Sequence, residues 1–253
     1  MTAFDELRTT APEDLVGASL VAAGVADGYV TRPSPLGTLY VAFSPVGVTA
    51  IDLADSPDDF ERRHAHTHDR RAIRVEQAPT RIDRHLDRAI ESGTPGRLPL
   101  DFSGLTEFQA AVLRSAASIP KGQVRPYGWI AREIGRPGAA RAVGSALAAN
   151  PVPVVVPCHR VVRSDGRLGQ YSLGGPQNKR RLLEVEGLDV DEYESMAGRG
   201  IRFVGSDTTH IFCQPTCRHV GRITDAHRVE FRSESEAMAE GYRPCEVCRP
   251  VAA

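Results

Sequence analysis

The sequence is defined first by what it is short of. No stretch approaches the roughly 20 consecutive apolar residues that a membrane-spanning helix needs, and nothing near its start resembles a secretory leader, so a cytoplasmic protein without a membrane partner is expected. Cysteine is scarce: there are five, an odd number, with four crowded into the last 41 residues and Cys158 alone. In a reducing compartment that distribution points away from a disulfide framework. It points toward metal ligands for the clustered pairs and toward either an inert core residue or a nucleophile for the solitary one. Net charge is nearly absent at −1, but it is unevenly spread: from Lys121 to Arg181 there are 11 Lys and Arg against only Glu133 and Asp165, a local +9. Such a segment is either a solvated basic surface or a face for a polyanion, which basic groups bind by releasing condensed counterions. What remains, 253 residues with 41% hydrophobic and 25% charged, is ordinary globular composition, enough for two or three small domains.

Residues 1–28 read as a helical or loose extension of no legible function. From Gly37 to Phe43, across Ser44–Gly47 and on from Val48 to Ile51, alternation and turn residues predict a hairpin. The charged stretch Ser56 to Arg74 reads as solvated loop; its His64, His66 and His68 lack an acidic or cysteine partner and are not assigned as a metal site. Thr80 to Ser92 predicts a helix with Ile82, Leu86, Ala89 and Ile90 on one face, closed by Gly93. Thr106 with Gln109 is a capping-box pattern opening the next helix, which ends at Ile119–Gly122. Two short helices, Tyr127 to Ile134 and Ala139 to Asn150, flank Gly135–Gly138 in a helix-turn-helix outline. The second is nearly all small residues with one long cation, Arg141. That composition suits either tight helix packing or close approach to a nucleic acid.

The run Val154-Val155-Val156 reads as a buried strand that Pro157 interrupts just before Cys158-His159-Arg160, holding a thiol at a cavity mouth. A thiol of ordinary pKa, about 8.5, needs a base or a positive field to react. His159 is the candidate base. Consecutive strand residues face opposite ways, so contact requires a kink or a bridging water. A third group would orient the imidazole, and Glu186 or Glu184 could do so.

The segments Ile119–Gly122, Tyr127-Gly128, Arg136–Gly144, Asn150-Pro151, Val156–Val162 and Glu186-Gly187 together resemble the O6-alkylguanine-DNA alkyltransferases, over roughly Gly28 to Leu188. The resemblance implies an α/β (α+β) protein. Residues 29–102 would be a ribonuclease-H-like N-terminal domain, and residues 103–188 a helical catalytic domain with a helix-turn-helix. It implies repair of double-stranded DNA in one irreversible step, without a cofactor: an alkyl group passes from O6-alkylguanine, and from O4-alkylthymine, to Cys158. A monomer is expected, since binding in the minor groove calls for no two-fold symmetry. His159 would be the water-mediated base, Glu186 its orienting partner and Asn150 a brace for the turn. Tyr127 would rotate the damaged nucleotide outward and Arg141 would fill its place, with Ala139, Ala140, Arg160 and Ser172 also at the DNA. One departure stands out: the family's Tyr-x-Gly-Gly loop is here Tyr171-Ser172-Leu173-Gly174-Gly175, one residue longer.

After an acidic, loop-like linker at 189–200 come Cys213-x-x-x-Cys217 and Cys245-x-x-Cys248, two chelating pairs whose spacing suits a four-thiolate zinc site in a small domain, 201–253. Phe212–Cys217 and Ala237–Pro250 resemble the zinc domain of Ada proteins, which implies that Cys213 accepts methyl from DNA methylphosphotriesters, or that the domain aids DNA binding. Seven arginines face seven acids in 201–253, so this part is not basic. Two other functions fit the same chain: a non-catalytic sensor of alkylated bases, or an Ada-like transcriptional regulator. The first is opposed by the presence of Cys158, the second by the absence of a further helix-turn-helix.

Overall fold

A computed structural model describes residues 13–250. Residues 1–12, part of the stretch read as an extension, lie outside the described residues; the rest of that stretch forms helix α1 (Glu13–Ala22) and the start of strand β1 (Asp27–Ser34). β1 pairs antiparallel with β2 (Gly37–Phe43), which pairs antiparallel with β3 (Val48–Leu53). After α2 (Pro57–His68) the chain adds β4 (Ala72–Arg74) parallel to β1, giving the order β3-β2-β1-β4.

The Ser56–Arg74 stretch is therefore a helix and a strand, not the expected loop. Ser56 caps α2 by accepting from the Asp59 N–H, Pro57 occupies the first turn, and Asp58 and Asp59 lie at its positive end. Only Phe60 and His64 of α2 are buried, too narrow an apolar face for periodicity to reveal. His64 bonds to buried Asp27 (3.1 Å), which also binds Arg70 and Thr49. This arrangement makes the histidine a core residue.

Helix α3 (Thr80–Ser92) has the expected buried face of Ile82, Leu86, Ala89 and Ile90, and Gly93 ends it in the left-handed region at φ 59°. Helix α4 (Glu107–Ala117) carries the full capping box between Thr106 and Gln109. The two-residue strand β5 (Arg125–Pro126) runs into α5 (Tyr127–Glu133), and a turn leads to α6 (Ala140–Ala148). β5 pairs in parallel with β6 (Val161–Val162), directly after the 3-10 turn Cys158–Arg160. One core joins the first sheet to these helices: Val41 and Phe43 of β2, Leu86 of α3, Val112 of α4, Ile130 of α5 and Val143 of α6 belong to the same buried cluster as Val152, Val155 and Cys158. Strand β2 is buried on both faces because α2 covers the other side through Phe60, Tyr29 and Tyr40.

Helix α7 (Gly175–Val185) and helix α8 (Val190–Gly198) come next in the chain. The stretch 189–200 is thus not a loop. Asp189 caps α8 at the Glu192 N–H; Val190 and Tyr193 pack with Val124, Val162 and Leu183, while Met196 packs with Ile201 and Val204 beyond. The last part forms a small sheet from β7 (Phe203–Ser206), β8 (Ile211–Cys213), β9 (Arg228–Phe231), helix α9 (Glu234–Ala239) and β10 (Arg243–Pro244), in the order β10-β8-β7-β9. Among the described residues no helix is long and apolar enough to cross a membrane.

Candidate active site and metal centre

The valine run before Cys158 is a turn rather than the expected strand. β-branched composition favours a strand, but the Asn150 side chain imposes other hydrogen bonds: its Oδ1 accepts from Val152 N (3.1 Å) and its Nδ2 donates to Val156 O (3.0 Å). The chain folds back with Val156 N on Val152 O, and Val154 takes φ 71°, a strained value for a β-branched residue. Asn150 Nδ2 also reaches Cys158 Sγ at 3.1 Å, so one amide holds both the turn and the thiol.

Cys158 is buried, and burial pushes its thiol up; the Asn150 amide, the Lys179 charge and the Ser172 hydroxyl oppose that. His159 is fully buried, with its Nε2 at 2.8 Å from Glu186 Oε1. Burial lowers His159, so its imidazole is neutral, while hydrogen bonds from His159 and Arg160 overcome burial to hold Glu186 at about 2, an ionised carboxylate. An ionised carboxylate only accepts, which puts the imidazole proton on Nε2 and leaves Nδ1 as the basic nitrogen. That Nδ1 is buried and has no hydrogen-bond partner among the described residues. Tyr171 packs edge-on to the imidazole at 6.0 Å between centroids. Of the two acids left open by the sequence, Glu184 instead faces outward to Arg180 at 3.3 Å.

Arg160 does not face solvent, so the structure does not present it to DNA. Its guanidinium is wholly buried, bonding Glu186 through Nε (2.9 Å) and Nη2 (2.7 Å) and the carbonyls of Ile119 and Ser92. A Cβ on Gly93 would collide with it. Arg125 and Lys179 are buried as well, so three of the eleven cations in the basic segment serve the interior. Lys179, missed in the sequence, bonds Val161 O (2.6 Å), and burial lowers it to about 8. Its signal was a lysine in phase with Leu182 and Leu183 on the buried face of α7.

Helix α6 buries Val143, Ala146 and Leu147 and leaves Ala139, Ala140, Arg141, Ser145 and Ala148 wholly or partly open, a shallow surface from which Arg141 projects. Tyr127, half-buried at the start of α5, lies 3.9 Å from where a Cβ on Gly144 would stand, and burial together with the nearby Cys158 pushes its phenol up. Ser172 is exposed in the lengthened loop, which Asn178 Nδ2 ties through Leu173 O at 3.1 Å.

Cys213, Cys217, Cys245 and Cys248 are buried, form no disulfide, and have all four sulfurs within 4.8 Å of one another. Tetrahedral coordination at a metal–sulfur distance of about 2.3 Å would place sulfurs roughly 3.8 Å apart, so a small contraction would accommodate a thiophilic ion. Contacts with Cys217 and Cys248 and burial push the Cys213 thiol far up, a crowding that a bound cation would relieve. The Gln214 N–H donates to Cys248 Sγ at 3.3 Å, a bond that would steady this sulfur as a metal ligand.

These are the features of a protein with a buried cysteine held beside a histidine–glutamate pair and a cluster of four further buried cysteines. Residues 107–188 match the model of the 6-O-methylguanine DNA methyltransferase DNA-binding domain, and 195–251 that of the metal-binding domain of Ada. The methylated-DNA–protein-cysteine methyltransferase of Mycolicibacterium paratuberculosis is 39% identical over 160 residues, 62% of this chain and 91% of that protein. Its namesake in Methanothermobacter thermautotrophicus is 48% identical over 92 residues, 36% of this chain, and there the match spans only 51% of the relative's length. A crystal structure of Mycobacterium tuberculosis OGT in complex with DNA superposes with a TM-score of 0.51 at 36% identity, covering 66% of this chain and 98% of that one. The chain belongs to the methylated-DNA–protein-cysteine methyltransferase family.

Proposed function

We propose that this protein repairs alkylated DNA by transferring the alkyl group of an extrahelical O6-alkylguanine, or O4-alkylthymine, onto Cys158. The observation that carries this is the Cys158 thiol, gripped by Asn150 at 3.1 Å beside a His159–Glu186 pair at 2.8 Å. His159 Nδ1 takes the thiol proton through a bridging water, and the Glu186 carboxylate stabilises the resulting imidazolium. The thiolate attacks the alkyl carbon, the carbon–oxygen bond breaks, and guanine leaves with the electron pair and is protonated. A thioether remains on Cys158, so each molecule acts once and needs no cofactor for the transfer.

The α5–turn–α6 unit is read as a helix-turn-helix lying on DNA, with the small face of α6 in the minor groove, Tyr127 rotating the nucleotide and Arg141 filling its place. The sheet β3-β2-β1-β4 with α3 is read as ribonuclease-H-like. A monomer acting on double-stranded DNA in the cytoplasm suffices for this chemistry. Intact-protein mass after mixing with DNA carrying one O6-methylguanine tests the proposal. One added methyl, mapped to Cys158 and lost in Cys158→Ala, is expected. Tight binding with no mass gain would move the chain to the damage-sensor class.

A second reading concerns the metal centre, with Zn2+ as its ion. A cavity of about 530 Å³ lies against Cys213 and Cys245, walled by Thr208, Arg222, His227 and Arg243. Four thiolates around Zn2+ carry a net −2, which repels a phosphodiester more than a neutral methylated triester. Cys213 is therefore proposed as a second methyl acceptor, tested by mass gain on DNA with a methylphosphotriester.

A further inference from the structure

The four-cysteine module is not a loosely tethered appendage. Thr216, between the two cysteines of the first pair, accepts from Val124 N at 2.9 Å and donates to Val124 O at 3.3 Å. The indole of Trp129, the chain's only tryptophan, donates to the carbonyl of Cys248 at 3.0 Å. Arg249 pairs with Glu133 at 2.5 Å, and Arg132 donates to Pro250 O at 2.9 Å. The guanidinia of Arg125 and Arg249 lie 5.8 and 5.7 Å from the centroid of the Trp129 ring.

Arg125 is the unusual member of this interface. It is 2% exposed, bonds only Val124 O and Gln123 Oε1, has no carboxylate partner, and its Nε has no hydrogen-bond partner among the described residues. A buried cation without an anion is costly, so its counter-charge must lie nearby. Burial lowers the guanidinium and all four cysteines oppose that, Cys248 most strongly. A tetrathiolate centre with a divalent ion retains two negative charges, a match for that cation.

The same residues lead straight to the acceptor. Arg125 pairs with Val161 and Pro126 with Val162, three and four residues past Cys158, and the next residue is Tyr127. We propose that the four-cysteine module is a clamp on β5 and α5: with a metal in place it fixes Arg125 and Trp129, and through them Tyr127 beside Cys158, so that metal occupancy sets how fast Cys158 accepts an alkyl group. Arg125 and Trp129 are then positioning residues of the transfer site. This rests on Cys158 being the acceptor and the four cysteines being metal ligands.

The experiment uses the full chain, metal-free and reloaded with Zn2+ or Co2+. The expected result has three parts: one equivalent of Co2+ giving thiolate charge-transfer absorption; Trp129 emission that shifts to longer wavelength on Zn2+ removal and returns on reloading; and a single-turnover rate constant on O6-methylguanine DNA that falls about tenfold or more without metal, a fraction of an ångström sufficing for that. Arg125→Gln and Thr216→Val, loaded with one equivalent of metal, are expected to show the same emission shift and slowed transfer, with Arg125→Lys recovering part of both. Thr216→Val, nearly isosteric, keeps the idea testable if Arg125→Gln fails to fold. Metal binding with unchanged Trp129 emission and unchanged rate overturns the clamp and leaves the metal site standing. No charge-transfer absorption overturns the metal site and the clamp with it. Absence of transfer in every metal state overturns the acceptor reading and the rate claim with it, while the emission shift still shows whether the metal fixes Trp129.

Discussion

Replacing Glu186 by glutamine keeps the shape of the side chain and removes the one negative charge that serves His159, Arg160 and the Gly122 N–H together. The carboxyl falls from 4.5 in an ordinary setting to about 2 in the fold, and its side chain is only 7% exposed. At 1.36 kcal/mol per pKa unit, its ionisation contributes roughly 3 kcal/mol to stability, the scale on which breaking a buried pair is felt. Because the folded value is depressed, this contribution is complete above pH 4.5 and is lost as pH falls toward 2. Urea unfolding of the two proteins is therefore expected to show Glu186→Gln about 3 kcal/mol less stable at pH 7, the gap closing between pH 4.5 and 2. Transfer should slow as well, roughly a hundredfold, because glutamine cannot stabilise an imidazolium as a carboxylate does. A loss below about 1 kcal/mol with an unchanged acid limb, or wild-type transfer, would refute the assignment of Glu186 as the electrostatic centre of the site.

Three other outcomes are expected. Asn150→Ala should cost about 1–3 kcal/mol in denaturant unfolding by leaving Val152 N unsatisfied and Val156 O with only its bond from Cys158 N, and should raise the apparent thiol pKa of Cys158 in alkylation-rate profiles. Arg141→Ala should weaken DNA binding and reduce the salt slope by about 1, as measured by fluorescence anisotropy, with no change in thermal stability because the side chain is exposed. Lys179, lowered from 10.5 to about 8, binds a proton more readily unfolded than folded, so stability should rise as pH climbs from 8 toward 10.5; that rise should vanish in Lys179→Met.

The parts of this fold that were legible in the sequence are those where one local signal coincides with burial. α3 has a wide apolar face and a glycine stop, α4 has a reciprocal cap, and β2–β3 have alternation around a turn. The misread parts are those where a single side chain decides. Asn150 turns a valine run that composition would make a strand, and α2 and α8 are held by caps at Ser56 and Asp189 with few buried residues between. β1 was hidden by its glycine and proline, which break the pattern of a strand although its backbone pairs with both neighbours. For the site, proximity along the chain made Cys158 and His159 readable, whereas the residues by themselves left Glu184 and Glu186 open and only the family resemblance chose Glu186, the one that the structure sets against His159. The basic segment overstated the charge available at the surface, since composition does not distinguish an outward arginine from Arg160, committed to an internal carboxylate.

The continuity of the main core has a consequence for what can be cut away. Since Val41, Leu86 and Val112 share a buried cluster with Val155 and Cys158, the setting of the thiol is a property of the whole packed body rather than of the segment that bears it. The first sheet is a foundation for the acceptor turn, joined to it also by the bond from Ile51 N to Pro151 O at 2.8 Å. A fragment starting after that sheet would retain every residue of the reactive motif yet lose the floor on which Asn150 folds the chain back.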